Sequence, residues 1–354
     1  MSTTVAINAP SGAAIETHYV NSYQRGIEMV FQKAESILQP YVKVVPQNSE
    51  EQYYDRIGAM EELVPNKTRY DTNPHAEIAF DRRRSVLDEW HQGHMFEEKD
   101  LRRVAEDPSN EIVQSLIMAA VRKKDDIIMD GIFAPAHTGK KGEVVVNWAA
   151  DGSTAFSGKV KVGEISKGLR DPITTSGHYV LQEGNYEGVV VSHDYVETGA
   201  ASSSGLTIAK LIAYKRALIR LEVLNPQDNI TLLIGEQQWS ELLNTEEVKN
   251  SDYNIKQSLA AGNVTTFMGY TFVPYIGLPT GTSGSDKYRR CIALPSTNTK
   301  IGTRNGIYLA MSLPINSSMW RLPERRNIPY AYVSMSSNAF RMWGEMVGEI
   351  RCTE

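Results

Sequence analysis

The stretch YVKVVPQNSEEQYYDRIGAMEELVPNKTRYDTNPHAEIAFDRRRSVLDEWHQGHMFEEKDLRRVAED, residues 41–107, decides the fold. It opens on a short strand signal, YVKVV, closed by Pro46, and runs into a polar segment with two tyrosines, Glu51–Ile57. Residues 60–73 are irregular and carry Lys67, Arg69 and Asp71. After Pro74 the pattern alternates. Ala76, Ile78, Phe80, Val86 and Trp90 share one parity, and Glu77, Asp81, Arg83 and Glu89 share the other. A period of two predicts a strand with one apolar face. At ~3.3 Å per residue, Ala76–Trp90 spans about 50 Å. With Arg82, Arg83 and Arg84 in its middle, such a strand is too charged for a domain core. It reads as an arm that projects and finds its apolar cover on another subunit. The candidate contact residues are Lys67, Arg69, Ile78, Phe80, Arg82, Arg83, Arg84 and Trp90.

Working outward, Asp107-Pro108 opens a strong helix. Asp suits the N-cap, Pro the first helical position, and Glu111 complements the helix dipole. Ile112, Val113, Leu116, Ile117, Ala120, Val121, Ile127 and Ile128 form an apolar stripe at helical spacing. On the N-terminal side, residues 1–15 read as a draped arm and Glu16–Leu38 as a helix with Ile27, Val30, Phe31 and Ala34 on one face. On the C-terminal side, residues 135–205 are rich in Gly, Ser and Thr, with strand signals at Glu143–Trp148, Lys159–Val162 and Gly188–Val191. Leu206–Leu224 is a second helix, stopped by Asn225-Pro226. Residues 230–322 alternate strands (ITLLIG, FMGYTFVPYIG, CIALP, IYLAMSL, SMWRL) with a short helix, QQWSELLN, and a loop at Gly281–Gly284. Tyr330–Cys352 returns to strands, with Ala331, Val333 and Met335 on one parity. The composite is α+β, one unit interrupted in sequence by a second.

Composition bounds the function. The 354 residues carry 37 Lys+Arg against 42 Asp+Glu, a net charge of −5, which argues against a dedicated nucleic-acid binder but not against a protein that encloses nucleic acid. Cys291 and Cys352 read as buried free thiols of a reducing compartment, and no apolar run reaches the ~20 residues of a membrane helix. The sequence therefore predicts a protein that assembles in a cytosol, off the membrane. Catalytic motifs are absent: no P-loop, no G-x-G-x-x-G, no G-x-S-x-G, no C-x-x-C, no H-E-x-x-H. His91 and His94, with Glu97, Glu98 and Asp100, are the one metal-like cluster. A polar turn is the simpler reading, and a metal-dependent hydrolase is the remote alternative. His193-Asp194 lacks a nucleophile, and Cys291 reads as packed despite Arg289 and Arg290 beside it. No catalytic residue, cofactor or metal is expected, and the chain is read as a non-enzyme.

The order of these elements resembles the tailed-bacteriophage major capsid protein, the Hong Kong 97-type fold. Arg82-Arg83-Arg84, then Glu98-Lys99-Asp100-Leu101 and Asp107-Pro108, resembles the end of that family's extended loop and the entry to its spine helix. Arg122 to Ile128, followed by Gly131, resembles the end of that helix, and Val223 to Pro226, Gln238 to Leu243 and Met268 to Phe272 resemble its axial domain. The resemblance implies an N-terminal arm with a short helix at 1–40 and an extended β-hairpin loop at 41–97. It implies a peripheral domain at 98–205 and 323–354 with a spine helix at 108–131, and an inserted axial domain at 206–322. It further implies self-assembly into hexamers and pentamers of an icosahedral head enclosing double-stranded DNA. A separate scaffolding protein, a portal protein and a decoration protein are the implied partners. Some relatives cross-link covalently, for which Lys67 and Asn338 are the positions to consider. An encapsulin-like bacterial nanocompartment shell shares the fold and remains the alternative.

Overall fold

The computed structural model describes residues 35–57, 80–96, 109–148, 179–181, 186–195, 202–220, 223, 228–244, 266–283, 286–299, 302–325 and 327–354. The helix expected at Glu16–Leu38, the cap at Asp107-Pro108, and the strand at Lys159–Val162 lie wholly or largely outside them. The strands in chain order begin with β1 (Lys43–Pro46), β2 (Glu51–Ile57), β3 (Phe80–Val86), β4 (Asp88–Met95), β5 (Ala136–Thr138) and β6 (Val144–Trp148). They continue with β7 (Tyr179–Leu181), β8 (Tyr186–Glu187), β9 (Val189–Val191), β10 (Asn229–Ile234), β11 (Thr266–Phe267) and β12 (Tyr270–Pro274). The last are β13 (Thr280–Ser283), β14 (Asp286–Thr299), β15 (Gly302–Asn305), β16 (Ile307–Leu322), β17 (Ile328–Arg341) and β18 (Gly348–Thr353). The helices are α1 (Ser109–Phe133), α2 (Ile208–Arg220) and α3 (Glu236–Asn244). The architecture is α+β.

The described residues fall into two compact units. One takes those within Met1–Ser36, Leu87–Asp125 and Met311–Ser337; the other takes those within Ile37–Val86, Asp126–Ala310 and Asn338–Glu354. This division cuts α1, β16 and β17 partway along.

In the first unit β16, β17 and β4 lie side by side in that order, with β17 and β4 antiparallel from Tyr330 opposite Met95 to Ser337 opposite Asp88. Ala331, Val333 and Met335 are buried on one face, as their shared parity predicts. Tyr330 and Tyr332 stand on the other, where Trp320 packs 5.3 Å from each ring.

The second unit holds two sheets. Nine strands include the path β11-β12-β10-β14-β18-β9-β7, with β13 and β15 paired to β14; five run β2-β3-β5-β6-β8. The mostly apolar segment Ile230–Ile234 lies in β10, flanked on both sides by strands and buried, Thr231 included. Helix α2 covers this unit with Leu211, Ala213, Tyr214, Ala217 and Leu218, all fully buried. Its Lys210 is also fully buried, and its ammonium donates to the carbonyls of His193, Ser204, Gly205 and Arg351 at 2.6–2.9 Å. Four acceptors replace the water that the charge loses.

Glu349 on β18 is a second fully buried charge. It accepts from Arg290 Nε and Nη2 (2.8 and 2.7 Å), Arg351 Nε (2.8 Å) and Trp148 Nε1 (2.8 Å). Burial alone pushes its carboxyl up, but the hydrogen bonds and charge of Arg290, the charge of Arg351 and the Trp148 indole hold it below the usual carboxylate range. The end of α1 has a cation of its own kind. No basic residue occupies its last turn, and Arg341 on β17 donates to the carbonyls of Ile132 and Ala134 and to that of Val146. It meets the orphan carbonyls of the helix end and its negative pole together.

Four sequence expectations are corrected. Ala76–Trp90 is not one strand: β3 and β4 part at Leu87 and enter different sheets. His91 and His94 lie within β4 and not in a turn, because β17 pairs through both positions. IYLAMSL and SMWRL are one strand, β16. Gly281–Ser283 is strand β13 paired to β14, and not part of a loop. Gly281 faces Tyr288, and a Cβ there would stand 2.5 Å from the tyrosine ring, so glycine is a packing choice and not a turn signal.

Glu349→Gln would remove the buried carboxylate that Arg290 and the buried Arg351 share, and about 3–5 kcal/mol of subunit stability should be lost in chemical denaturation. The folded carboxyl sits below its unfolded value, so the stabilisation of the native chain is complete above the ordinary carboxylate range. It should be lost as pH falls through that range toward the folded value, whereas the variant should lack this acid-dependent step.

Candidate intersubunit surface

Strands β2 and β3 pair antiparallel from Glu51 opposite Val86 to Ile57 opposite Phe80, and β3 pairs onward through Arg83 and Arg84 with Thr138 and His137. Residues directly opposite share a face. One face carries Gln52, Tyr54 and Arg56 with Ser85, Arg83 and Asp81; the other carries Glu51, Tyr53, Asp55 and Ile57 with Val86, Arg84, Arg82 and Phe80.

The first, polar face is the buried one. Tyr54 packs 5.0 Å from the Phe340 ring, and Arg56 donates to the Met342 carbonyl at 2.9 Å while standing over Trp343. Arg83 is 2% exposed and Ser85 is buried. Asp81 is the anchor: it accepts from Arg56 and Thr138 and, at 3.4 Å, from the Gly139 amide. Partial burial raises its carboxyl, but the bonds from Arg56 and Thr138 and the Arg56 charge prevail and hold it at about 2.

The second face is open. Arg82 pairs with Asp55 at 3.1 Å and lies over Tyr53, and Arg84 pairs with Glu51. Such exposed pairs fix the face more than they stabilise it. At its far end Ile57 and Phe80, directly opposite, are 61% and 74% exposed. Of the apolar parity read from sequence, Phe80 and Val86 lie on this face, and only Phe80 is exposed.

The sequence-predicted contact residues separate accordingly. Phe80, Arg82 and Arg84 share the open face, while Arg83 turns inward. Trp90 belongs to β4, where Lys123 stands 4.0 Å over its ring. Lys67, Arg69 and Ile78 lie outside the described residues. Sequence reading missed Tyr53 and Ile57; their parity with Asp55 in Glu51–Ile57 is the signal, visible only once β2 is known to pair with β3.

The other candidate chemistry disperses. His91 and His94 are three apart on a strand, so they project to opposite faces; His91 stacks on Tyr332 and His94 meets Phe96 edge-on. No group of three His, Cys, Asp or Glu is poised for a metal among the described residues. His193 stacks 5.5 Å from Tyr288. Cys291 and Cys352 are free and buried on adjacent strands, and the neighbouring Cys352 sulfur together with burial pushes the Cys291 thiol far up, the reverse of an activated nucleophile.

Three sheets, a 25-residue helix and a hairpin whose outer face ends in exposed apolar side chains have the features of a shell-building subunit of the Hong Kong 97-type fold. The model of the phage capsid protein family matches residues 15–354, and the chain belongs to that family. It is a structural subunit of a phage head, self-assembling into a multimeric shell and located in the virion capsid. Family membership favours this over the nanocompartment and hydrolase alternatives. No curated protein sequence matches. Among solved structures, the mature capsid of bacteriophage PhiM1 aligns with TM-score 0.60 at 10% identity over 97% of this chain and 99% of its own. The capsid of cyanophage Pam1 gives 0.62 at 12% identity over 94% and 96%, and the capsid of a native GTA particle 0.56 at 15% over 99% and 100%.

Asp81→Asn should abolish the part of the subunit's acid dependence that lies between pH ~4 and ~2, because Asp81 adds stability above its unfolded value that is lost as pH falls through about 2. Unfolding midpoints of the two proteins across that range would measure it; parallel pH profiles would contradict the anchoring role.

Proposed function

We propose that the β2–β3 hairpin is the arm by which one subunit holds the next, in a head of hexamers and pentamers enclosing double-stranded DNA. The single observation that supports this is the Ile57–Phe80 pair, exposed side by side on a hairpin whose opposite face is anchored to its own subunit. Burying each side chain against a neighbour contributes about 1.5–3 kcal/mol, and repetition around a closed ring multiplies the effect. Arg82 and Arg84, with their carboxylate partners, set the register of that contact. Lys67, Arg69 and Ile78 belong to the same arm.

On this reading residues 41–97 lie over a neighbour within the capsomer, 98–205 with 323–354 form the peripheral domain, and 206–322 crowd the capsomer axis. The segment 1–40 reaches across an adjacent copy. Assembly proceeds in the host cytoplasm with a separate scaffolding protein and a portal protein, and a decoration protein binds the finished shell. The net charge of −5 suits a container, since few phosphate contacts keep the enclosed DNA from adhering.

Ile57→Ser with Phe80→Ser should leave a folded subunit and prevent shells, seen as a loss of fast-sedimenting particles with unchanged circular dichroism. Deleting 58–74 should have the same outcome. Shells of normal yield and size by electron microscopy from either variant would refute the role given to the arm.

A further inference from the structure

Strand β4 is the free edge of its sheet among the described residues, since β17 pairs with one side of it and nothing described pairs with the other. Seven of its eight positions are exposed, with only Trp90 half-buried. Natural edges of this length are blunted by lysine, proline, a bulge or a covering segment. Asp88–Met95 has no lysine and no proline, and it pairs with β17 without a bulge. Its outer row of backbone donors and acceptors is a template for one more strand.

We infer that β4 pairs antiparallel with β4 of a second copy across a two-fold axis centred on His91, joining the two sheets into one. The inference rests on the shell-subunit reading. The occupant follows from the sequence of the edge itself. Side-by-side antiparallel pairing about a two-fold axis keeps each face on its own side, so residues of like parity must meet. Two central registers satisfy this. Centred on Gln92, Glu89 meets Met95, Trp90 meets His94 and His91 meets Gly93, with Glu89 opposite no hydrogen-bonding side chain. Centred on His91, Asp88 meets His94 of the second copy, twice over by symmetry, and Trp90 meets Gln92.

In that register Glu89 meets Gly93, over which the Tyr330 ring lies so closely that a Cβ would stand 2.1 Å from its hydroxyl. The acidic end of each β4 therefore meets the histidine end of the other, and no two carboxylates are opposed. The aromatic face also continues across the seam. His91 stacks on Tyr332 at 6.2 Å, and Tyr332 packs on Trp320, so the two His91 rings would join two such clusters.

Directly opposite residues of antiparallel strands hold their Cα atoms about 4.5–5.5 Å apart, inside the Cα separation that a disulfide bridges. His91→Cys shells, oxidised with copper–phenanthroline, should run as dimers on a non-reducing gel. Mass spectrometry should then find two copies of the β4 peptide joined through the introduced thiols. Two thiolates lose two electrons to the copper complex as the S–S bond forms. The native Cys291 and Cys352 are buried and should stay unreacted. Glu324→Cys, exposed but off this edge, should give monomers. Intact shells without the dimer would overturn the pairing and leave the shell reading standing. Failure of the unmodified chain to form shells even when co-expressed with its scaffolding protein would remove the shell reading, and the pairing with it. Should the variant alone not assemble, shells co-assembled with unmodified chain decide the matter by the same gel: the dimer supports the pairing and its absence overturns it.

Discussion

The second unit depends on a carboxylate held away from solvent. Glu349 sits in β18, an interior strand of the nine-stranded sheet between β14 and β9, fully buried, and it receives hydrogen bonds from Arg290 on β14, from Arg351 on its own strand and from Trp148 at the end of β6 in the five-stranded sheet. One side chain thus joins two sheets. The cations it gathers organise aromatic rings in turn: Arg290 stands 4.1 Å over Phe133 at the end of α1, Phe133 meets Trp148 edge-on, and Arg341 lies over Trp148 from the other direction while capping the helix. A buried pair of this kind is weak evidence for stability by itself, because desolvation offsets most of the attraction. Its value is that β14, β18 and β6 must all be in place for Glu349 to receive its hydrogen bonds.

The hairpin follows a different logic. Its inner face is held by polar contacts (Asp81 with Arg56 and Thr138, Arg56 with the Met342 carbonyl), and its outer face ends in Ile57 and Phe80. Ordinary domains invert this, burying the apolar side and exposing the charged one. A subunit whose work is to be covered by its neighbours has reason to keep apolar surface outside. The first half of α1 is consistent with the same economy, since Ile112, Val113, Leu116 and Ile117 are only half-buried within the single chain.

Periodicity alone determined a good deal. The 3.6-residue stripe of α1, the apolar run of β10, the short helix α3 and the Ala331–Val333–Met335 parity of β17 are local patterns, and each element forms where its pattern lies. The order of those elements carried the resemblance to a capsid subunit. What tertiary structure alone decided is which face of a pattern is inside and where an alternating run changes partner. Phe80, Val86 and Trp90 share a parity in the sequence, yet β3 and β4 separate at Leu87 because one is paired to β2 and β5 and the other to β17. Arg83, read as a surface contact, is interior because its cross-strand neighbour Tyr54 packs on Phe340, nearly three hundred residues away in the chain. Side-chain period fixes that two faces differ; only the long-range packing of strands fixes which of them meets the protein and which is left for another subunit.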